Sequence, residues 1–241
     1  MTDQTNVLPD GSDPKDAERM VDDVDDDTSD VAAISLILTY DECAALAATT
    51  GADFWIAEDV PAEAISAPAG ERSLAARMLA IIGADDTDLA PPLDTMIDAI
   101  SRPERVVLME DWVGRPQPDL LLASVQDDRV VSQELVEGTG LLVVLRSLSG
   151  FLDRQGFSGR PGAFQERFTW PPEESSHLRV AFDSHRRSRR LTLATGDDDR
   201  SLTLLDCGEH GLFRQMAVSD DGNSLEVVGV RPGEVEEWWR S

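Results

Sequence analysis

The chain has 241 residues and a formal charge of −26 with only 5% aromatic residues, enough length to bury a core without metal or disulfide support. The charge sets phosphate backbones against it, so nucleic acid is excluded as a partner class. No run approaches the roughly 18 apolar residues of a membrane span, and "MTDQTNVLPDGSDPKDAERM" lacks the basic flank and apolar stretch of a signal peptide, so a cytoplasmic protein without membrane insertion is expected.

Residues 1–30 carry eleven acidic residues against Lys15 and Arg19, net −9, which leaves −17 for residues 31–241. So polar a stretch cannot bury enough apolar surface to offset its ordering entropy and reads as a disordered acidic tail, with "DDVDDD" (Asp22–Asp27) a solvated run and no cation site. Residues 31–241 read as a single α+β domain. Val31 to Leu38 is a buried-strand pattern, and Thr39-Tyr-Asp-Glu42 has the spacing of a capping box, in which side chain and backbone satisfy each other's donors at a helix start. That helix ends near Gly51. An Ala/Pro-rich irregular stretch, 54–70, precedes two amphipathic helices, Glu71–Gly83 and Pro91–Ser101, the second with Leu93, Met96, Ile97 and Ile100 on one face.

From Pro103 the apolar period changes from helical to alternating. Arg105–Trp112, Asp119–Val125 and Arg129–Val136 read as a meander, joined by a Gly/Pro loop at 113–118 and a tight turn at 126–128; "LLVVLRSLSGFLDRQG" passes from strand into a helix ending near Gly156. Residues 157–177 read as an irregular connector. Beyond it, "HLRVAF", "RRLTLAT", "RSLTLLD", "GLFRQMAV" and "NSLEVVGV" are strand candidates, and a helix follows over 231–240. Strands followed by a helix thus occur in both halves, roughly 31–156 and 178–241. Such a repeat fits duplication and the general covering of sheets by helices equally.

Reactive constellations are not recognisable. Gly156-Phe-Ser158-Gly159-Arg160 places an arginine where a hydrolase elbow needs glycine, and Gly138-Thr-Gly140 runs on as strand without a third glycine. His177, His185 and His210 have no partner at metal-ligand spacing, and "GDDD" at 196–199 is turn chemistry, so neither metal nor cofactor is expected. Cys43 and Cys207 read as reduced, buried thiols. The basic run His185-Arg-Arg-Ser-Arg-Arg190 reads as a solvated hairpin end, the alternative being contact with an acidic partner. Of Trp238 and Trp239, neighbours on a helix, one is expected in the core and the other partly exposed, available to another protein.

The order of elements, with "ISLILTYDECAALA", "AISRPERVVLMEDW", "LLLASVQDDRVVSQEL" and "SLTLLDCGEHGLFRQMAVSDDGNSLEVVGVRPGEVEEWW", resembles the EspG family, cytosolic chaperones associated with type VII (ESX) secretion, over Val31 to Trp239. The resemblance implies a quasi-two-fold central antiparallel sheet flanked by helical bundles and no enzymatic activity. It also implies capture of the apolar tip of a secreted helical PE–PPE-like heterodimer through the sheet, the loop between the second and third strands and the C-terminal helix. On this chain those contacts fall on Trp112, Gly114, Arg115 and Gln117, with Trp238 and Trp239. The acidic tail lies outside that pattern. A different reading from charge alone is an immunity or antitoxin-like protein that neutralises a basic partner.

Overall fold

The computed structural model describes residues 33–56, 60–83, 86–136, 140–157, 165–169, 187–193, 200–208, 211–217 and 224–241. The expected acidic tail, all three histidines, the turn at 196–199 and the strand expected at 177–182 lie outside them.

Val31 to Ser241 fold around one antiparallel sheet, an α+β architecture. In chain order the described elements are β1 (Ile34–Leu38), α1 (Tyr40–Thr50), a short 3-10 turn (Ala62–Ala64), α2 (Ala67–Ala76), β2 (Ala80–Ile82), β3 (Thr87–Leu89) and α3 (Pro91–Ser101). They continue with β4 (Arg105–Trp112), β5 (Asp119–Gln126), β6 (Arg129–Val136), β7 (Gly140–Ser147), α4 (Leu148–Gln155), β8 (Gln165–Thr169), β9 (Arg187–Leu193), β10 (Ser201–Asp206), β11 (Leu212–Ala217), β12 (Ser224–Gly229) and α5 (Glu234–Arg240). Strands β2 and β3 form a separate hairpin; the other ten make one sheet in the order β1-β7-β6-β5-β4-β9-β10-β11-β12-β8.

That order repeats itself. On either side of the β4–β9 pair the outer edge is held by the first strand of the half, β1 or β8. A four-strand meander then starts at the seam with β4 or β9, returns through β7 or β12 to pair with that edge, and leads into α4 or α5. Between the first two strands of the first half, residues 39–104 carry three α-helices and the β2–β3 hairpin, and in the second half β8 and β9 are separated by residues 170–186, which lie outside the described residues. At the seam the register runs from Val107 opposite Leu193 to Trp112 opposite Ser188.

Successive strand residues point to opposite faces, and the core divides accordingly. On one face Val131, Leu141, Val143 and Leu145 pack with α1, α2 and α3; on the other Val107, Met109, Leu121, Ala123, Val125, Val130, Leu191 and Leu193 pack with α4 and α5. The capping box forms as its spacing predicts: Glu42 N donates to Thr39 Oγ1 (3.2 Å) and Thr39 N donates to Glu42 Oε2 (2.9 Å). Glu42 is fully buried and also accepts from Arg77 Nη1 (2.8 and 2.7 Å) and Ser73 Oγ (2.7 Å), which ties α2 to α1. The helices come so close that a Cβ on Gly70 would stand 2.0 Å from the Asp41 carbonyl oxygen, a separation only glycine allows.

Three local expectations are corrected. The helix expected over 71–83 starts earlier, at Ala67 with Pro68 in its first turn, and stops at Ala76; Ala80–Ile82 become a strand because they pair with Thr87–Leu89. The span expected as irregular connector contains β8, the edge strand beside β12. The basic run expected at a solvated hairpin end is largely β9, a central strand flanked by β4 and β10, because Ser188 to Thr192 pair on both sides.

Candidate functional site

The β4–β9 seam brings three charged groups together on the face carrying α4 and α5. Asp111 is 6% exposed and lies directly opposite Arg189, which is 3% exposed. Arg187 Nε donates to both carboxylate oxygens of Asp111 (2.7 and 2.8 Å), and its Nη2 donates to Oδ2 as well. Arg189 stands 3.8 Å from the same carboxylate and stacks its guanidinium 4.7 Å above the Phe157 ring, with its own Nε left without a hydrogen-bond partner. These two arginines titrate in opposite directions. The Asp111 hydrogen bonds push Arg187 up, whereas burial first, and then the neighbouring Arg187 charge, lower Arg189 to about 10. Both are committed to the seam, so the cluster holds the two halves in register; Arg190, half-exposed and 3.9 Å from Glu110, lies on the opposite face and is not part of it.

The opposite face of the same strands is different in kind. There Leu108 of β4 sits opposite Leu122 of β5, and Glu110 opposite Leu120. Leu120 and Leu135, the residues just beyond the Leu121–Glu134 pair, are 38% and 39% exposed. Leu108, Leu122 and Trp112 are half-buried, and Val113, where β4 leaves the sheet, is exposed. Together they form an apolar strip, about 13 Å along β4 and about 10 Å across three strands at ordinary strand spacings, interrupted on β4 by Glu110 between Leu108 and Trp112. One side of it is walled by the chain after α1: Trp55 N donates to Oε1 of the fully buried Gln133 (3.0 Å), and Gln133 Nε2 donates to the Asp53 carbonyl (3.5 Å). Gln133 faces Leu122 across the β5–β6 ladder, so this wall stands at the edge of the leucines. The β9 side is polar, with Thr192 opposite Leu108 and Arg190 opposite Glu110.

The expected site residues divide between two places. Trp112 belongs to the strip. Gly114 (φ 62°), Arg115 and Gln117 are exposed in the loop at its end, where Arg115 Nη2 pairs with Asp119 Oδ2 at 2.6 Å. That loop is the connection between the second and third strands of the large sheet in chain order. Trp238 and Trp239 lie on the other face, in the cluster with α4, and α5 reaches the β5–β6 turn through Arg240 Nη2 and Asp128 Oδ1 (2.7 Å). Strand β5 separates that turn from the loop at 113–118, so the two sets do not form one surface. Trp239 is fully buried, edge-on to Phe151 at 5.2 Å, and is a core anchor that no partner can touch in the folded chain; Trp238 is half-buried beside it at 6.1 Å.

Leu108, Leu120, Leu122, Leu135 and the Gln133–Trp55 link are absent from the residues singled out in the sequence. The signal available was that "DLLLASV" is apolar at successive positions, so both faces of β5 carry leucine while only one meets α4 and α5.

A shallow depression beside α3 is lined by Thr50, Thr87, Asp94, Asp98 and Arg102, with Asp98 engaged by Arg102 (3.6 Å) and by Gln126 Nε2 (3.2 Å). Among the described residues no group of three or more His, Cys, Asp or Glu side chains is placed to hold a metal ion. None of their helices is long and apolar enough to cross a membrane.

No family model matches the sequence, and no curated protein matches it. Among solved structures the chain is similar to the Mycobacterium tuberculosis type VII secretion system chaperone EspG5 in complex with a PE25–PPE41 dimer, at 10% identity over 85% of this chain and 93% of that one, with a TM-score of 0.46.

Proposed function

We propose that this protein is a non-enzymatic binding protein that shields an apolar helical end of another protein, in the manner of a secretion chaperone. The observation that carries the reading is the leucine strip on the part of this face of β4, β5 and β6 that α1, α2 and α3 leave uncovered. A sheet face that leaves Leu120 and Leu135 more than a third exposed beside Leu108, Leu122 and Trp112 is unsatisfied within the chain. Its length of about 13 Å accepts between two and three turns of α-helix at a pitch of about 5.4 Å, so the occupant presents apolar residues at spacings of three and four. The loop at 113–118 supplies a polar end to the site, and the acidic field of the chain discriminates among partners without supplying most of the affinity.

The finer reading follows the family that the sequence resembles: the client is a PE–PPE-like heterodimer, held in a soluble form before type VII export, in the cytoplasm. Co-expression of the full chain with a PE–PPE pair encoded by the same host tests this. The expected result is a complex that survives size exclusion and is lost with Leu120→Asp and Leu135→Asp. Retention of the complex by both variants removes the strip from the binding surface, and failure of any helical client to bind removes the function.

A further inference from the structure

A second apolar surface stands outside the strip, at the C-terminus of α2. Two bonds close that helix, Met78 N to the Ala75 carbonyl (3.1 Å) and Leu79 N to the Leu74 carbonyl (2.9 Å), the paired bonds of a Schellman motif. The residue between them must take a left-handed backbone, which is why the position ordinarily belongs to glycine. Here it is Met78, at φ 55°, with 84% of its surface exposed. The turn is rigidly held, because Arg77 immediately before it donates to both oxygens of the buried Glu42. Three residues on, Ile81 of β2 is 67% exposed and stands opposite the exposed Asp88 of β3. Their Cα atoms are at most about 11 Å apart by chain length alone.

Met78 therefore keeps a strained backbone and an exposed thioether side chain where glycine would relieve the first and remove the second. Strain of this kind, retained on a rigid support, points outward to a binding role. We propose that Met78 and Ile81 form a knob that inserts into an apolar pocket with a basic rim on a second protein, separate from the client of the leucine strip. Methionine suits the task, since its unbranched side chain adapts to a pocket. The charge of the rim follows from Asp86 and Asp88, both exposed on the hairpin that carries Ile81, and from the net −17 of residues 31–241. The same charge repels a second copy of this chain and an anionic membrane surface.

A diazirine-bearing amino acid placed at position 78 of the full chain by codon suppression, and irradiated in the source cells, tests the proposal. The expected product is a protein adduct whose cross-linked peptide, located by mass spectrometry, contains apolar residues bordered by Arg or Lys. Its yield falls about tenfold with Ile81→Asp, as for the loss of an anchor residue, and is unchanged by Leu120→Asp. Met78→Gly is expected to raise Tm while weakening co-purification of that same protein. No adduct, adducts only with lipid or with another copy of the chain, yields indifferent to Ile81→Asp, or a fall in Tm for Met78→Gly overturn it. Because Leu120→Asp acts on the strip alone, failure of the knob and failure of the chaperone reading are told apart.

Discussion

Asp111 of β4 stands directly opposite Arg189 of β9 at the junction of the two five-stranded halves, and Arg187, two residues along the same strand, clamps its carboxylate with Nε and Nη2. The seam consequently carries a buried ion cluster at one end of its core-facing row, next after the apolar pairs Val107–Leu193 and Met109–Leu191. Removing one member leaves buried charge unpaired, and such truncations destabilise by roughly 3–5 kcal/mol. Asp111→Ala is expected to fall in that range in denaturant titration, while Asp111→Leu combined with Arg189→Leu loses far less than the two single changes together. Additive losses would mean that the groups do not act as a pair.

The two C-terminal tryptophans separate anchor from surface. Trp239 is fully buried on Phe151, so Trp239→Ala is expected to lose about 3–5 kcal/mol by opening a large cavity. Its indole Nε1 has no hydrogen-bond partner, so Trp239→Phe deletes an unsatisfied donor along with part of the ring and is expected to lose much less. Trp238→Ala, at a half-buried site, is expected to lose about 1 kcal/mol. Thermal melts of the three variants check the order, and equal losses at 238 and 239 would contradict the packing.

Burial pushes the Cys43 thiol up to about 12, with Glu42 adding to it, and the Cys207 thiol up to about 11, with Asp206 adding to it. A thiol in the unfolded chain ionises near about 8.5. The unfolded state thus gives up these protons at lower pH than the folded one, so stability is constant below about 8.5 and falls as pH rises toward 11–12. The expected behaviour is loss of Tm through that alkaline window, flattened in Cys207→Ala. Both thiols should resist a disulfide reagent at pH 8 until denaturant is added, and rapid native labelling at Cys43 would show that α1 is not packed as described.

Much of this architecture was legible where local chemistry decides the outcome. Thr39 and Glu42 form the helix start that their spacing predicts, Leu93, Met96, Ile97 and Ile100 form the buried face of α3, and the alternation from Arg105 to Val136 gives three adjacent strands. The misread elements depend on partners distant in sequence or on an unusual residue. Gly83 reads as the natural helix stop, yet α2 is closed five residues earlier with Met78 in the left-handed position. Strand β8 is an edge strand of mostly polar residues and needs no apolar alternation. Four arginines in six residues read as solvated because Asp111, the group that draws Arg187 and Arg189 inward, is 76 residues from Arg187. The strip itself is a matter of coverage: Leu120 and Leu121 are the same residue type, and only the placement of α4 and α5 buries one and leaves the other open.

The strip also predicts an unusual separation between stability and binding. Leu120 and Leu135 are already more than a third exposed, so exchanging either for aspartate removes little buried apolar area, and surface changes of this kind stay within about 0.5 kcal/mol. A client helix seated on them would bury both side chains, and an aspartate there would be desolvated without a partner. Leu120→Asp and Leu135→Asp are therefore expected to keep the wild-type Tm within about 1–2 °C while weakening client binding at least about tenfold. Leu121→Asp, one position along but facing the core, is expected to unfold the domain. Circular dichroism melts with titration calorimetry against the co-expressed client check both halves of the statement, and a Leu120→Asp variant that melts like Leu121→Asp would show that this face is covered rather than open.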